Sequence, residues 1–371
     1  MRQGAARRDC HDAAATPVNE VYLAGRGLAC ALGPDLASTL VALGRGGVSP
    51  SRVEVAPGFA WPYHGIQEQG PDWLTRARCI TLRVAADSGA LAGPRDGPLF
   101  VASSSVGLGA AEDFDDFDAR MPDFADGVAG WLDWRGPVFA VSTACTSSLN
   151  ALLSARTLLR SGQAKSALVL GVELRNRVSV GGFGALQLLS ATRALPLGAG
   201  RDGMVLGEAV AALHLGTQRN RWRFAGGANL VDGRQASGTG PAAVEAMCRQ
   251  ALASSTLAPK DIALIKPQAA GSPENDAIEI AALQRVFDPL PPLVSFKAAI
   301  GHTLGAAGAA EVVLLTACLE TGAWPVCDYA LDASLKISLA ARAPRPARHV
   351  LASILGFGGG HAAVVLEDAG A

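Results

Sequence analysis

The stretch Val141 to Leu149, VSTACTSSL, decides how this chain is read. An apolar run, Pro137 to Val141, leads into it. Ser148 to Leu159 then carries Leu149, Leu152, Leu153 and Leu159 at helical spacing. Cys145 therefore falls at a strand-to-helix turn with small residues packed round it. Unpaired N–H groups and the positive end of the helix dipole favour a thiolate there, which predicts a thiol pKa lowered from about 8.5 and a nucleophile. The competing reading is a small buried apolar side chain, the usual state of a cysteine in a reduced protein. This stretch alone leaves both open.

Outward from it, composition bounds the fold. With 371 residues, 49% hydrophobic and 18% charged, the chain can bury a large core, and its length allows two or three units. A net charge of -1 gives no footprint for nucleic acid, and Arg219, Arg221 and Arg223 read as a solvated face. The cysteines, Cys10, Cys30, Cys79, Cys145, Cys248, Cys318 and Cys327, are odd in number, scattered and never spaced C-x-x-C. Neither a disulfide framework nor a zinc site is indicated, and a reducing, cytoplasmic compartment is expected. Residues 1–18 carry Arg2, Arg7 and Arg8 without the apolar core of a secretory signal and read as a flexible tail. Gly308 to Leu319 is apolar but interrupted by Glu311 and too short to cross a bilayer; a buried helix is expected and no membrane span.

Val21 to Leu28 reads as a strand and Leu36 to Leu43 as a helix, the first βα pair. Trp73 to Leu91 reads as a helix and Pro98 to Ser103 as a strand. Glu112 to Gly127, EDFDDFDARMPDFADG, interleaves six aspartates with Phe114, Phe117 and Phe124. Phenylalanines three apart suit one face of a surface helix. After the cysteine helix, Ser166 to Val172 is an unbroken apolar strand and Glu173 to Ser190 a mixed loop and helix. Met204 to Leu215 and Trp222 to Asn229 are strands, with a boundary near Gly216 dividing residues 19–215 from 216–371. Pro241 to Leu252, Asn275 to Val286 and Ala306 to Leu319 are helices, Ile262 to Lys266 and Leu293 to Ser295 strands, and Val350 to Ile354 with Ala362 to Leu366 a closing hairpin. Alternation of strand and helix in both halves calls for a layered α/β fold.

VSTACTSSL resembles the nucleophile motif of the β-ketoacyl synthases, and four further stretches resemble motifs of that family in the same order. RDGMVLGEAVAAL (Arg201 to Leu213) looks like its RDG-x-x-x-GE segment. KPQAAGSPENDAIE (Lys266 to Glu279) aligns without gaps to the histidine motif E-A-H-G-T-G-T-P-x-N-D-x-x-E. KAAIGHTLGAAGAAE (Lys297 to Glu311) matches the lysine and second-histidine motif, and SILGFGGGHAAVVLE (Ser353 to Glu367) the glycine-rich one. The resemblance implies a thiolase-like fold, five layers αβαβα with two similar halves and a buried central helix pair, normally dimeric. The run Gly305 to Ala310 suits such a helix. No metal or cofactor is called for.

By the same resemblance, Cys145 takes an acyl chain from an acyl carrier protein, and the backbone N–H groups of Cys145 and Phe357, in the turn of Gly356, Phe357 and Gly358, form the oxyanion hole. Decarboxylation of a malonyl thioester needs two further donors, which the family draws from two histidines. His302 stands at the second. At the first this chain has Gln268, followed by Ala269 and Ala270. Glutamine can donate a hydrogen bond but is neither acid nor base, and loss of one well-placed donor costs about 10² to 10³ in rate. Lys297 and Glu311 stand fourteen residues apart, as in active members, and read equally as electrostatic support or as a buried salt bridge. His361 replaces the usual asparagine.

The triad is thus incomplete, and three functions stay open. The first is a chain-length-factor-like partner of a complete ketosynthase in a type II fatty acid or polyketide system, with Gly171 to Ser190 resembling the aryl polyene type. The second is a non-elongating acyl transferase using Cys145. The third is an active β-ketoacyl synthase performing Claisen condensation. We favour the first, as a heterodimer or homodimer in which Phe114 and Phe117 wall the partner's pocket.

Overall fold

The computed structural model describes residues 18–115, 120–233 and 239–370. Strand β1 (Tyr22–Cys30) is followed by α1 (Leu36–Gly44), whose N-cap Asp35 accepts from the Ser38 N–H at 2.7 Å. A hairpin, β2 (Ser51–Ala56) and β3 (Phe59–His64), precedes α2 (Trp73–Asp87), capped in the same way by Asp72. Next come β4 (Leu99–Ala102), α3 (Leu108–Phe114), α4 (Met121–Trp131), β5 (Val138–Val141), α5 (Ser147–Arg160), β6 (Ser166–Glu173) and α6 (Arg177–Ala185). The remainder is β7 (Leu206–Gly207), β8 (Ala209–Gly216), β9 (Trp222–Val231), α7 (Pro241–Ser255), β10 (Ile262–Lys266), α8 (Pro273–Val286), α9 (Lys297–Ile300), α10 (Ala307–Thr321), β11 (His349–Leu355) and β12 (Gly360–Asp368). Pro241 and Pro273 open α7 and α8, where a missing N–H costs nothing.

The main sheet runs β10-β11-β12-β9-β1-β8-β6-β4-β5. Its two parts meet at a narrow seam: β1 pairs along its length with β8, but with β9 only at Tyr22 and Arg223. Helices α2 and α4 cover the outer face of the first part, and α7 with α8 lie outside the second; α5 and α10 are held between the two. These are the five layers of a thiolase-like ketosynthase fold. Helix α10 has no polar face, as a helix enclosed on all sides must not, and Ala307 through Leu319 are all buried. With the turn before it, Leu304–Thr321 is long and apolar enough to cross a membrane by length and composition, but 89% of that stretch lies inside the fold. Small residues let it in: a Cβ on Gly308 would come within 2.5 Å of the Leu149 side chain on α5.

Three expectations need correction. The acid-and-phenylalanine segment is two helices, because Asp115 ends α3 in the left-handed region at φ +52 and Pro122 starts α4. Phe114 and Phe124 therefore do not share a face: Phe114 is 64% exposed and Phe124 is in the core. Phe117 lies outside the described residues. Met204 to Leu215 is broken at Glu208, whose carboxylate turns to Arg76, so that β7 joins β3 in a small sheet and β8 joins the main one. Leu293 makes only isolated bridges, to Ile265 and Leu339. The β2–β3 hairpin, tipped by Gly58, was not anticipated.

Candidate active site

Strand β5 ends at Val141, and the chain reverses through Ala144, held at φ +51, before α5 begins. The hydroxyls of VSTACTSSL build this turn. Thr146 Oγ1 donates to the Thr143 carbonyl at 2.6 Å, Ser147 Oγ donates to the Ala144 carbonyl at 2.6 Å, and the Thr143 N–H donates to Ser147 Oγ at 2.9 Å. Ser148 Oγ accepts the Ala309 N–H at 3.0 Å, tying α5 to α10. Cys145 is left facing inward and only 5% exposed.

That burial overturns the expectation of a depressed thiol. Loss of solvation pushes Cys145 up to about 11; the ammonium of Lys297 and the backbone N–H of Phe357 pull the other way without overcoming it. A helix terminus lowers a thiol that water can still reach, whereas here the charged form must be made in a closed interior.

His302 Nε2 lies 3.1 Å from Cys145 Sγ, and Gln268 Nε2 lies 3.4 Å from the same ring nitrogen. Burial, then Lys297 and Lys266, hold His302 well below the ordinary imidazole range, so the ring is neutral. The Cys145 thiol and the Gln268 amide thus both face Nε2 of this neutral ring. Among the described residues, Nδ1 and Gln268 Oε1 are both buried without a hydrogen-bond partner.

Gln268 follows β10 in a turn shaped from α8. The two oxygens of Glu279 accept the N–H groups of Gln268 at 2.8 Å and Ala269 at 2.9 Å, and Asp276 accepts those of Ala270 and Gly271 at 3.1 Å each. Burial raises Asp276 to about 6 and Glu279 to about 7 against these bonds. Beneath the turn, Glu311 of α10 meets Lys297 through one oxygen and Lys266 through the other, the latter at 2.5 Å. Burial would raise Glu311, but the two ammonium groups more than reverse it.

The predicted residues Cys145, His302, Gln268, Lys297, Glu311, Gly356 and Phe357 thus lie in or directly under one site. Gly358 lies in the adjoining turn at φ +77, and Gly359 is needed there because a Cβ would strike the Asp232 carbonyl at 1.7 Å. Phe357 stacks on Phe183 with centroids 5.5 Å apart. The pocket they enclose with Cys145, His302, Gln268 and Met204 has a volume of about 30 Å³, room for about one water. Phe114 is not part of it. Sequence reasoning missed Lys266, Asp276 and Glu279. A lysine closing the apolar run IALIK was the signal for the first, and acids three apart on one helix face for the others.

Residues 122–221 match the beta-ketoacyl synthase N-terminal domain and residues 225–327 the C-terminal domain, together more than half of the chain. The chain belongs to the beta-ketoacyl synthase family. Polyketide synthase ThaG of Burkholderia thailandensis is 34% identical over 234 residues, which cover 54% of this chain and 4% of ThaG. The 3-oxoacyl-[acyl-carrier-protein] synthase 2 of Mycobacterium leprae is 27% identical over 71% of this chain and 72% of its own. The chain spans at most 12% of the polyketide synthases that head its curated relatives. Among solved structures of ketosynthase fold, the ketosynthase ApeO in complex with its chain length factor ApeC from Xenorhabdus doucetiae superposes with a TM-score of 0.83 at 23% identity, covering 95% of this chain and 98% of that one.

Proposed function

We propose that this protein is a ketosynthase-like subunit of a type II fatty acid or polyketide system, of aryl polyene kind, that condenses poorly by itself and serves as the chain-length-factor-like partner of a complete ketosynthase. The observation that carries this is Gln268, seated 3.4 Å from His302 where the family motif has its first imidazole. An amide can donate one hydrogen bond to a forming enolate but can neither take up nor release a proton. The small volume beside Cys145 and its raised thiol agree with a subunit whose own site is not the main place of chemistry.

The partner half of the reading draws on two surfaces. Among the described residues, strand β5 is an uncovered edge of the main sheet, with Phe139 40% exposed, and Phe114 is 64% exposed at the end of α3. An apolar edge invites a further strand, and Phe114 is available to wall a neighbour's pocket. Acyl carrier protein is the expected donor, and the cytoplasm the expected compartment. Purified alone, the protein should not decarboxylate a malonyl-carrier thioester at a useful rate. The triple change Gln268→His, Ala269→Gly and Ala270→Thr should raise that rate by about 10². Efficient turnover by the unchanged protein would overturn the proposal.

A second reading, a non-elongating acyl transferase, is favoured by the 3.1 Å approach of His302 to Cys145, a nucleophile–base pair still in place. Intact-mass detection of an acyl group on Cys145 after incubation with acyl-carrier protein would select it.

A further inference from the structure

Lys266 is the last residue of β10, two before Gln268, and stands where the histidine motif reads glutamate. Its side chain is 1% exposed. It reaches Glu311 at 2.5 Å and donates to the Ser353 carbonyl at 2.8 Å, while the Ser353 hydroxyl donates to Glu279 at 3.3 Å. A buried chain of contacts therefore runs from Lys297, through Glu311, Lys266 and Ser353, to the carboxylate that fixes the backbone of Gln268.

A single lysine on Glu311 would make a neutral pair. The second makes two cations on one carboxylate, in a region where desolvating a charge is costly unless it is answered. We propose that Lys266 is a positioning residue: by occupying one oxygen of Glu311 it leaves the Lys297 ammonium partly uncompensated beneath Cys145 and His302, and through Ser353 it ties that charge to the Gln268 turn.

Among the described residues, the charged and titratable groups around the pair are few. Lys297 comes from α9, Glu311 from α10, Lys266 from β10, Asp276 and Glu279 from α8, and Glu173 from β6. Glu173 is taken up by the N–H groups of Ser104, Ser105 and Gly305. Asp276 and Glu279 are likewise turned to backbone N–H groups. At the thiol the Lys297 ammonium favours a thiolate against the opposing carboxylate of Glu173, and at His302 both lysines disfavour an imidazolium. Lys266 has this part in either kind of subunit proposed above.

The test is the pH profile of Cys145 alkylation by iodoacetamide, followed by peptide mass spectrometry on the full-length protein. Burial brings Lys266 down to about 8, so its charge is in place at pH 7; there Lys266→Met should slow alkylation by about three- to tenfold, the change in thiolate fraction that half to one pKa unit gives. Lys266→Arg, which keeps the charge, should retain the native rate at pH 7. A native profile in the folded Met variant would mean that Lys266 is only structural. In the unmutated protein, nitrogen chemical shifts of labelled histidine should find His302 neutral from pH 8 down to pH 5.5. A protonated His302 at pH 6 would overturn the proposal even if the Met variant does not fold.

Discussion

Cys145 shows how burial can outrank local geometry. Its neighbours in sequence supply a turn and a helix start, both of which favour a thiolate, yet the interior around it raises the thiol to about 11. Limiting iodoacetamide should accordingly label Cys79 and Cys327, which are exposed, before Cys145. Cys145 should in turn precede Cys248 and Cys318, which burial pushes to about 12 with no imidazole beside them. Labelling of Cys145 first would restore the view of it as a depressed, solvent-reachable nucleophile. The residues that meet at the site were legible because their motifs fix the backbone locally. Lys266 was not, since nothing in its spacing announces a contact with Glu311, which lies forty-five positions further on.

At the scale of elements, periodicity located most helices and strands, and failed where a single residue's tertiary partner decided the outcome. Glu208 left the strand pattern to meet Arg76, and Asp115 with Pro122 cut an apparently continuous amphipathic segment in two. The pairing of α5 with α10 was foreshadowed by the small residues of Gly305 to Ala310, and it makes a quantitative demand. Gly308→Ala would press a methyl into Leu149 of α5 and should cost about 1 to 3 kcal/mol. Gly127→Ala on α4, where among the described residues no atom other than the local helix backbone lies within 4 Å of the added carbon, should be neutral or stabilise by up to about 1 kcal/mol. Urea unfolding of the two variants beside the native protein measures both. Equal effects would mean that helix propensity, and not the approach of α5 to α10, governs the cost.

For the whole molecule, the two ends of the main sheet differ. Beyond β10 the chain supplies its own cover, with Leu293 bridging Ile265, whereas β5 ends the sheet on a short apolar edge whose Phe139 stacks on Phe100 of β4, at 4.8 Å. Phe139→Asp should therefore weaken assembly, with itself or with a co-purified ketosynthase, by about tenfold or more, and sedimentation should register the lower mass while circular dichroism stays native. An unchanged mass for this variant, or a monomeric unmutated protein, would remove β5 from the interface.

The enclosed position of α10 also bears on how the protein is made. The ribosome completes β6 and β8 by Gly216, but α10, which lies against their inner face, is not finished until Thr321. At typical synthesis rates the apolar side chains of that face wait about 5 to 20 s for their cover. Nascent chains stalled between these two points should be the ones that chaperones hold most tightly.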